Sequence, residues 1–166
     1  MTERSPISEK AFAVLRDFLE SDGWHPQYVD EGDYFRMGFR GRNGEYRLVA
    51  RVRGDFDQLV IYVFAPVAVG EERRHAVAEF IARANYGMRI GNFELDFADG
   101  EIRYKSSLDF EGVGLAPVMV KNAIYPAAQT MDRYFPGLIS VVAGAKSPLD
   151  AVRMIEEEPP PGESRN

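Results

Sequence analysis

The chain's 166 residues are 45% hydrophobic and 12% aromatic, enough apolar mass to bury a core and too much for a disordered polymer. It contains no cysteine, which excludes disulfides and thiolate metal sites and suits a reducing compartment such as the cytoplasm. A formal net charge of −6 disfavours nonspecific binding to duplex DNA, and the longest apolar run, residues 59–69, is broken by Pro66 and falls well short of the roughly 18 residues of a membrane span.

Residues 8–21 carry Phe12, Leu15, Phe18 and Leu19 at helical spacing, with Ser8 placed as N-cap and Gly23 as the stop. Trp24, the only tryptophan, follows with His25 and Pro26 and should pin the helix end to the core. A short extended piece, residues 27–30, leads into a hairpin built on Asn43-Gly44, a strong turn dipeptide. A two-residue turn there pairs Phe35 with Val52, Met37 with Ala50, Phe39 with Leu48 and Gly41 with Tyr46 on an apolar face. It also sets Arg36 opposite Arg51 and Arg40 opposite Arg47 on the other face, with Gly38 beside Val49. Like charges across strands repel, so carboxylates are expected nearby.

Residues 59–64 are apolar on both faces, the pattern of a central strand, and Pro66 should end it. Residues 71–86 read as a helix with Val77, Phe80, Ile81 and Ala84 inward and Gly87 as its C′ stop. Asp99-Gly100 then marks a second hairpin, read as a type I′ turn. That turn pairs Phe97 with Ile102, Leu95 with Tyr104 and Phe93 with Ser106 on one side, and Asp96 with Arg103 and Glu94 with Lys105 on the other. Residues 116–135 show an apolar stripe at Val120, Ala123, Ile124, Ala127, Met131 and Tyr134, with Pro126 expected to kink the helix. Pro136-Gly137 should interrupt it, leaving a short buried helix at 138–143 and another begun by Ser147 as cap and Pro148 at N1. Residues 156–166, acidic and proline-rich, read as a disordered tail after a single domain, 1–155. The order of helix, strands, helix, hairpin and helices is an α+β pattern: a largely antiparallel sheet with helices packed on one face.

Several blocks carry a resemblance. Ala82-Arg-Ala-Asn-Tyr-Gly87, Gly91-Asn-Phe-Glu-Leu-Asp96, Glu101-Ile-Arg-Tyr104 with Ser107-Leu-Asp109, and Met131-Asp-Arg-Tyr134 with Pro136-Gly-Leu138 resemble the YbjN family of bacterial proteins, over about residues 8–155. The resemblance implies a fold similar to type III secretion chaperones, a homodimer, and a regulatory or protein-binding role. It brings no catalytic motif. Pro126 departs from the family pattern.

Catalytic, cofactor and metal chemistry find little in the residues. Glu94 and Asp96 share a strand face, but opposite Lys105 and Arg103 they read as a solvated charge ladder. His25 and His75 stand far apart and lack metal-ligand spacing. Gly112-Val-Gly114 is a turn rather than a nucleotide loop, and Arg53-Gly-Asp55 is a strand exit. Asn85 and Tyr86 are expected to serve structure, Asn85 by satisfying backbone groups and Tyr86 by packing.

The feature that points outward is the arginine face: Arg36, Arg40, Arg47 and Arg51, with Arg42 and Arg53 at its margins and Val60, Tyr62 and Phe64 beside it. Neutralisation by Asp30, Glu31, Asp33, Asp55 or Asp57 is the commoner arrangement for such a face. The alternative is a partner-binding surface for an acidic, partly apolar peptide, formed by Arg36, Arg40, Arg47, Arg51, Val60, Tyr62 and Phe64. Single-stranded nucleic acid fits less well, because its stacking needs aromatics interleaved with the cations. The leading functional expectation is a non-enzymatic, cytoplasmic protein-binding homodimer. A second, of another class, is a small-molecule-binding regulator or enzyme with a pocket between the sheet and the 116–135 helix.

Overall fold

Helix α1 (Pro6–Ser21) opens the fold in the computed structural model, which describes residues 6–157. Its buried stripe is Ser8, Ala11, Leu15 and Leu19. Ser8 therefore lies inside the first turn and is not the cap. It packs on Gly54, where a Cβ would come within 2.1 Å of the Ser8 hydroxyl. Gly23, at φ 77°, turns the chain out of the helix while the Trp24 N–H donates to the Leu19 carbonyl at 3.0 Å. Trp24 then stacks edge-on against Tyr125, and both rings donate to the Asp22 carboxylate.

Six strands form one antiparallel sheet: β1 (Gln27–Val29), β2 (Tyr34–Arg40), β3 (Glu45–Arg53), β4 (Gln58–Ala68), β5 (Asn92–Leu95) and β6 (Glu101–Asp109), in the order β1-β2-β3-β4-β6-β5. Helices α2 (Arg74–Asn85), α3 (Pro117–Val142) and α4 (Pro148–Glu157) complete the chain. One sheet face is covered: α1 lies over β3, α3 over β4 and β6, and α2 over β5, while α4 packs on α2 and α3. Between the layers sit Leu15, Leu48, Leu59, Ile61, Val63, Phe80, Ile102, Ile124 and Met131, all essentially inaccessible. Each such side chain contributes roughly 1.5–3 kcal/mol by leaving water. The fold class is the α+β arrangement expected.

Both hairpin registers differ from expectation by two residues. In the first, Phe35 pairs with Ala50, Met37 with Leu48 and Phe39 with Tyr46, while Arg36 faces Val49, Arg47 faces Gly38 and Arg40 faces Glu45. No arginine opposes another in these pairs. The turn centres on Arg42-Asn43 because Asp132 of α3 grips it. The Arg42 N–H donates to Asp132 Oδ2 at 2.9 Å, the Asn43 N–H to Oδ1 at 2.8 Å, and the Asn43 side-chain amide to the Asp132 carbonyl at 2.8 Å. That carbonyl is free because Pro136, four residues on, has no N–H to give it. Gly41 serves closeness here, since a Cβ would lie 2.2 Å from Asp132 Oδ1.

In the second hairpin Phe93 pairs with Tyr104, Glu94 with Arg103 and Leu95 with Ile102. The turn is longer than type I′: Asp96 N–H donates to the Glu101 carbonyl, Gly100 N–H to the Asp96 carbonyl, and only Gly100, at φ 80°, is left-handed. Asp96 thus leaves the strand ladder and accepts the Ala98 N–H at 2.7 Å. Phe97 is displaced to the turn, 49% exposed, against His75.

Other corrections follow from local chemistry. Strand β4 runs past Pro66 to Ala68 through a register shift after Phe64, where a residue without an N–H is tolerated. The predicted 71–86 helix is a 3₁₀ turn, Glu71–Arg73, followed by α2. Helix α3 continues through Pro126 and Pro136, and Gly137 lets α4 and α2 approach it: a Cβ would stand 3.1 Å from the Ala151 carbonyl oxygen and 3.2 Å from Phe80 Cε2. Ser147 caps α4 as expected, accepting the Asp150 N–H at 3.1 Å. Since α4 reaches Glu157, the predicted tail does not begin at 156, and its remainder lies outside the described residues. Tyr86 does not pack: it is 91% exposed. Asn85 does satisfy backbone, but of β5, accepting the Phe93 N–H at 2.8 Å and donating to the Phe93 carbonyl at 3.1 Å.

Candidate functional site

The sheet face turned away from the helices follows from strand alternation, because even-numbered positions of β2 and odd-numbered ones of β3 point outward. A shift of two residues preserves that parity. Arg36, Arg40, Arg47 and Arg51 therefore share one exposed face, and Val60, Tyr62 and Phe64 of β4 lie on the same side. One row across the sheet reads Gln27, Arg36, Val49, Tyr62, Lys105, Asn92. The next reads Gly38, Arg47, Phe64, Arg103, Glu94.

The apolar stripe of β4 is roofed by guanidinium planes. Arg47 lies 4.0 Å over the Phe64 ring and Arg103 4.3 Å over Tyr62, so the aromatic faces are partly desolvated by cations of the same chain. Arg53 stacks similarly on Phe56 at 4.8 Å.

Charge divides the face into two halves. On the β5–β6 side, Glu94 accepts from both Arg103, at 2.7 Å, and Lys105. Partial burial pushes the Glu94 carboxyl upward, but the hydrogen bonds and charges of Lys105 and Arg103 outweigh it and hold the carboxyl below its usual range. That side is internally paired. On the β2–β3 side, Arg40 meets Glu45 at 2.6 Å with the side chains 81% and 69% exposed, a pairing worth little and open to exchange. Arg47 reaches Glu101 only at 3.8 Å, Arg36 donates to Gln27 at 2.6 Å, and Arg51 has no charged partner among the described residues. Of the carboxylates expected to neutralise the arginines, Asp30, Glu31, Asp55 and Asp57 form no ion pair with this face among the described residues, and Asp33 accepts from the Tyr28 hydroxyl at 3.0 Å. Glu45, Glu94 and Glu101 stand in their place and leave a cationic surplus toward β2.

Sequence reasoning missed what lies between the arginines. Gly38 interrupts the alternation of Arg36 and Arg40, and a Cβ there would meet nothing within 4 Å. The residues that line the resulting groove, about 650 Å³, include His25, Arg36, Gly38, Arg40, Arg47 and one carboxylate, Glu45. Its cause is the approach to β1. His25, at φ 50°, and Pro26 divert the chain, so β1 begins only at Gln27, opposite Arg36. Because the Gly41 N–H donates to the Gly44 carbonyl, alternate residues of β2 bond to β3, and Gly38 and Arg40 turn their N–H and C=O groups toward this margin, where no strand among the described residues pairs with them. The opposite margin, β5, is closed by the Asn85 amide on Phe93. A glycine in period with arginines was the available signal.

On the helical side, a second recess of about 390 Å³ lies between α3, α4 and the segment after α2, bordered by Tyr86, Met88, Tyr104, Pro126, Thr130 and Tyr134. The Tyr134 phenol is pushed up to about 12 by burial and by neighbouring Glu156, to which it donates at 3.0 Å. His25 and His75 stay on separate elements, and no cluster of His, Asp or Glu among the described residues could hold a metal ion. No helix among them is long and apolar enough to cross a membrane.

Comparison with known proteins matches residues 11–140 to the YbjN family, described as "Putative bacterial sensory transduction regulator". Among solved structures, YbjN from E. coli, described as a "putative transcription regulator", is similar at TM-score 0.57 and 12% identity, covering 81% of this chain and 89% of that one. The ExsC–ExsE complex contains a chain similar at TM-score 0.50 and 13% identity, covering 76% of this chain and 93% of that one. Among curated proteins, none matches.

Proposed function

This chain belongs to the YbjN family, and from that premise we propose that it is a non-enzymatic, cytoplasmic homodimer that binds another protein through the open face of its sheet. The observation that carries the reading is the β2–β3 half of that face, where Arg36 and Arg51 have no ion pair among the described residues, Arg47 meets Glu101 only at 3.8 Å, and Arg40 pairs with Glu45 in full exposure to water. Beside them lies the apolar stripe of Val60, Tyr62 and Phe64.

The complementary guest is an extended, acidic, partly apolar segment. Its carboxylates would take paired hydrogen bonds from guanidinium groups, and its alternate side chains would lie along the stripe. The unpaired margin at Gly38 and Arg40 supports an extended rather than a helical guest, because N–H and C=O groups stand ready there for another backbone. Regulation by protein contact accords with the family description, and a fold neighbour that is recorded in complex with a second protein accords with it too. The homodimer rests on the family resemblance.

Affinity capture from the native cell, with cross-linking and measurement of molar mass, tests the reading. Wild-type protein should be dimeric and retain a partner that is lost on Arg40→Glu with Arg47→Glu. A monomer that recovers the same proteins as the doubly substituted variant would sink it.

A further inference from the structure

The groove at the β2 margin opens onto both faces of the sheet. Arg36, Gly38, Arg40 and Arg47 form its outer side, and Met37, Phe39 and Tyr46, which point toward the helices, form its inner side. Met37 and Tyr46 are almost wholly covered, whereas Phe39 is half-buried, with the Trp24 ring 6.1 Å from its own. A cationic rim and an apolar rim thus flank one line of backbone, the N–H and C=O groups of Gly38 and Arg40 that no strand among the described residues takes up.

That line is where β1 would run had it begun earlier. In the register of β1 on β2, Gln27 stands opposite Arg36, so position 25 would come opposite Gly38, but His25, at φ 50°, leaves the line. An extended segment laid there alternates its side chains between the two rims. The one opposite Gly38 points outward over a position without a side chain, where a Cβ would meet nothing within 4 Å. Arg36 and Arg40 stand about 7 Å from Gly38 along the strand, and Arg47 pairs with Gly38 across it, about 4.5 Å away. Arg36 has no ion pair among the described residues, and Arg47 meets Glu101 only at 3.8 Å. Glu45, the carboxylate of the groove, is held by Arg40 at 2.6 Å. Charge therefore favours an acid opposite Gly38 and disfavours one opposite Arg40, beside Glu45.

We infer, resting on the protein-binding reading of this face, that the partner adds a short strand to the β2 margin, antiparallel to β2 as β1 is. An acidic side chain of that strand lies over Gly38, between Arg36, Arg40 and Arg47, and an apolar side chain on each side of it turns toward Phe39. Gly38 is the position that selects the acid, because it leaves the space the acid fills. A second copy of β2 suits the margin poorly, since pairing about Gly38 sets Arg36 of one copy against Arg40 of the other.

The probe is a fluorescein-labelled heptapeptide with glutamate at its centre, valine on either side of it and at both ends, and serine at the remaining positions. Titrated into the full chain and followed by anisotropy, it should saturate. Glutamine at the peptide's centre should weaken binding about tenfold or more, the loss of one charge-assisted contact. Arg36→Gln and Gly38→Val should each do the same, and valine at 38 is a strand-favouring residue placed in open space. N-methylation of the central glutamate, whose N–H faces Gly38 in this register, should abolish binding, while N-methylation of a neighbouring valine, whose N–H faces away, should not. A peptide that does not bind, one indifferent to N-methylation at its centre, or equal affinities for glutamate and glutamine overturn the inference. A Gly38→Val change that alters the molar mass of the free protein instead of the peptide's affinity also overturns it, by giving the margin to a second copy. If the peptide fails while a captured partner is still lost on Arg40→Glu with Arg47→Glu, the strand addition falls and the protein-binding reading stands.

Discussion

Asp132 and Asn43 are joined twice: the Asn43 N–H donates to the Asp132 carboxylate at 2.8 Å, and the Asn43 side-chain amide donates to the Asp132 carbonyl at 2.8 Å. The first bond uses a helix side chain, the second a helix carbonyl that Pro136 leaves vacant. Arg42 N–H and the Tyr46 hydroxyl complete the set at 2.9 Å each. Burial, then the hydrogen bond and charge of Asp132, push the Tyr46 phenol well above the usual tyrosine range.

Asp132→Ala should therefore lower stability by about 2–4 kcal/mol, since it strands several donors that a charged acceptor now satisfies. Asp132→Asn should cost less, because one acceptor oxygen remains. Urea unfolding at constant m-value measures both. A loss no larger than the roughly 0.5 kcal/mol of an ordinary surface change would mean the turn holds itself.

Asn85 closes the β5 margin by imitating a strand. Asn85→Asp keeps the acceptor for the Phe93 N–H but sets a carboxylate against the Phe93 carbonyl. It should cost about 1–3 kcal/mol. Asn85→Ala should also speed hydrogen exchange at the Phe93 amide selectively. Unchanged exchange there would show that α2, rather than the amide, shields the edge.

Gly137→Ala sets helix propensity against packing. In a free helix the change stabilises by about 1 kcal/mol. Here the new methyl would press on the Ala151 carbonyl oxygen, Ile155 Cγ1 and Phe80 Cε2 at 3.1–3.2 Å. Overpacking of this kind costs about 1–3 kcal/mol, so the melting temperature should fall. A rise would show that α4 can move away freely.

Glu94 ties β5 to β6 through Arg103 and Lys105. Because its folded carboxyl titrates below the usual value of 4.5, its contribution is complete above that pH. It is lost as pH falls through the lowered folded value, where the native state finally takes up the proton. Wild type should exceed Glu94→Gln in stability at neutral pH, and the gap should close in acid. Parallel pH–stability curves for the two proteins would count against the pairing.

Side-chain parity was written in the sequence. Alternation in 35–39 and 46–52 puts Phe35, Met37 and Leu48 inward and the arginines outward, and any even slip of register preserves that outcome. The α+β order and the helical stripes were legible for the same reason: each depends on local periodicity. The family resemblance rested instead on the motif blocks themselves. All seven candidate binding residues accordingly share one face. The groove beside them was not legible, because it depends on a single left-handed residue, His25, and on where β1 begins.

Register, helix continuity and the recess were decided only by the tertiary structure. The turn dipeptide Asn43-Gly44 suggested one pairing, and a carboxylate 89 residues away selected another by offering the turn's N–H groups a charged acceptor. Pro136 reads as a helix breaker in isolation, yet in the fold the carbonyl it frees is taken by Asn43 and the helix runs on. A local rule sees the missing donor. Only the packed molecule contains the group that replaces it.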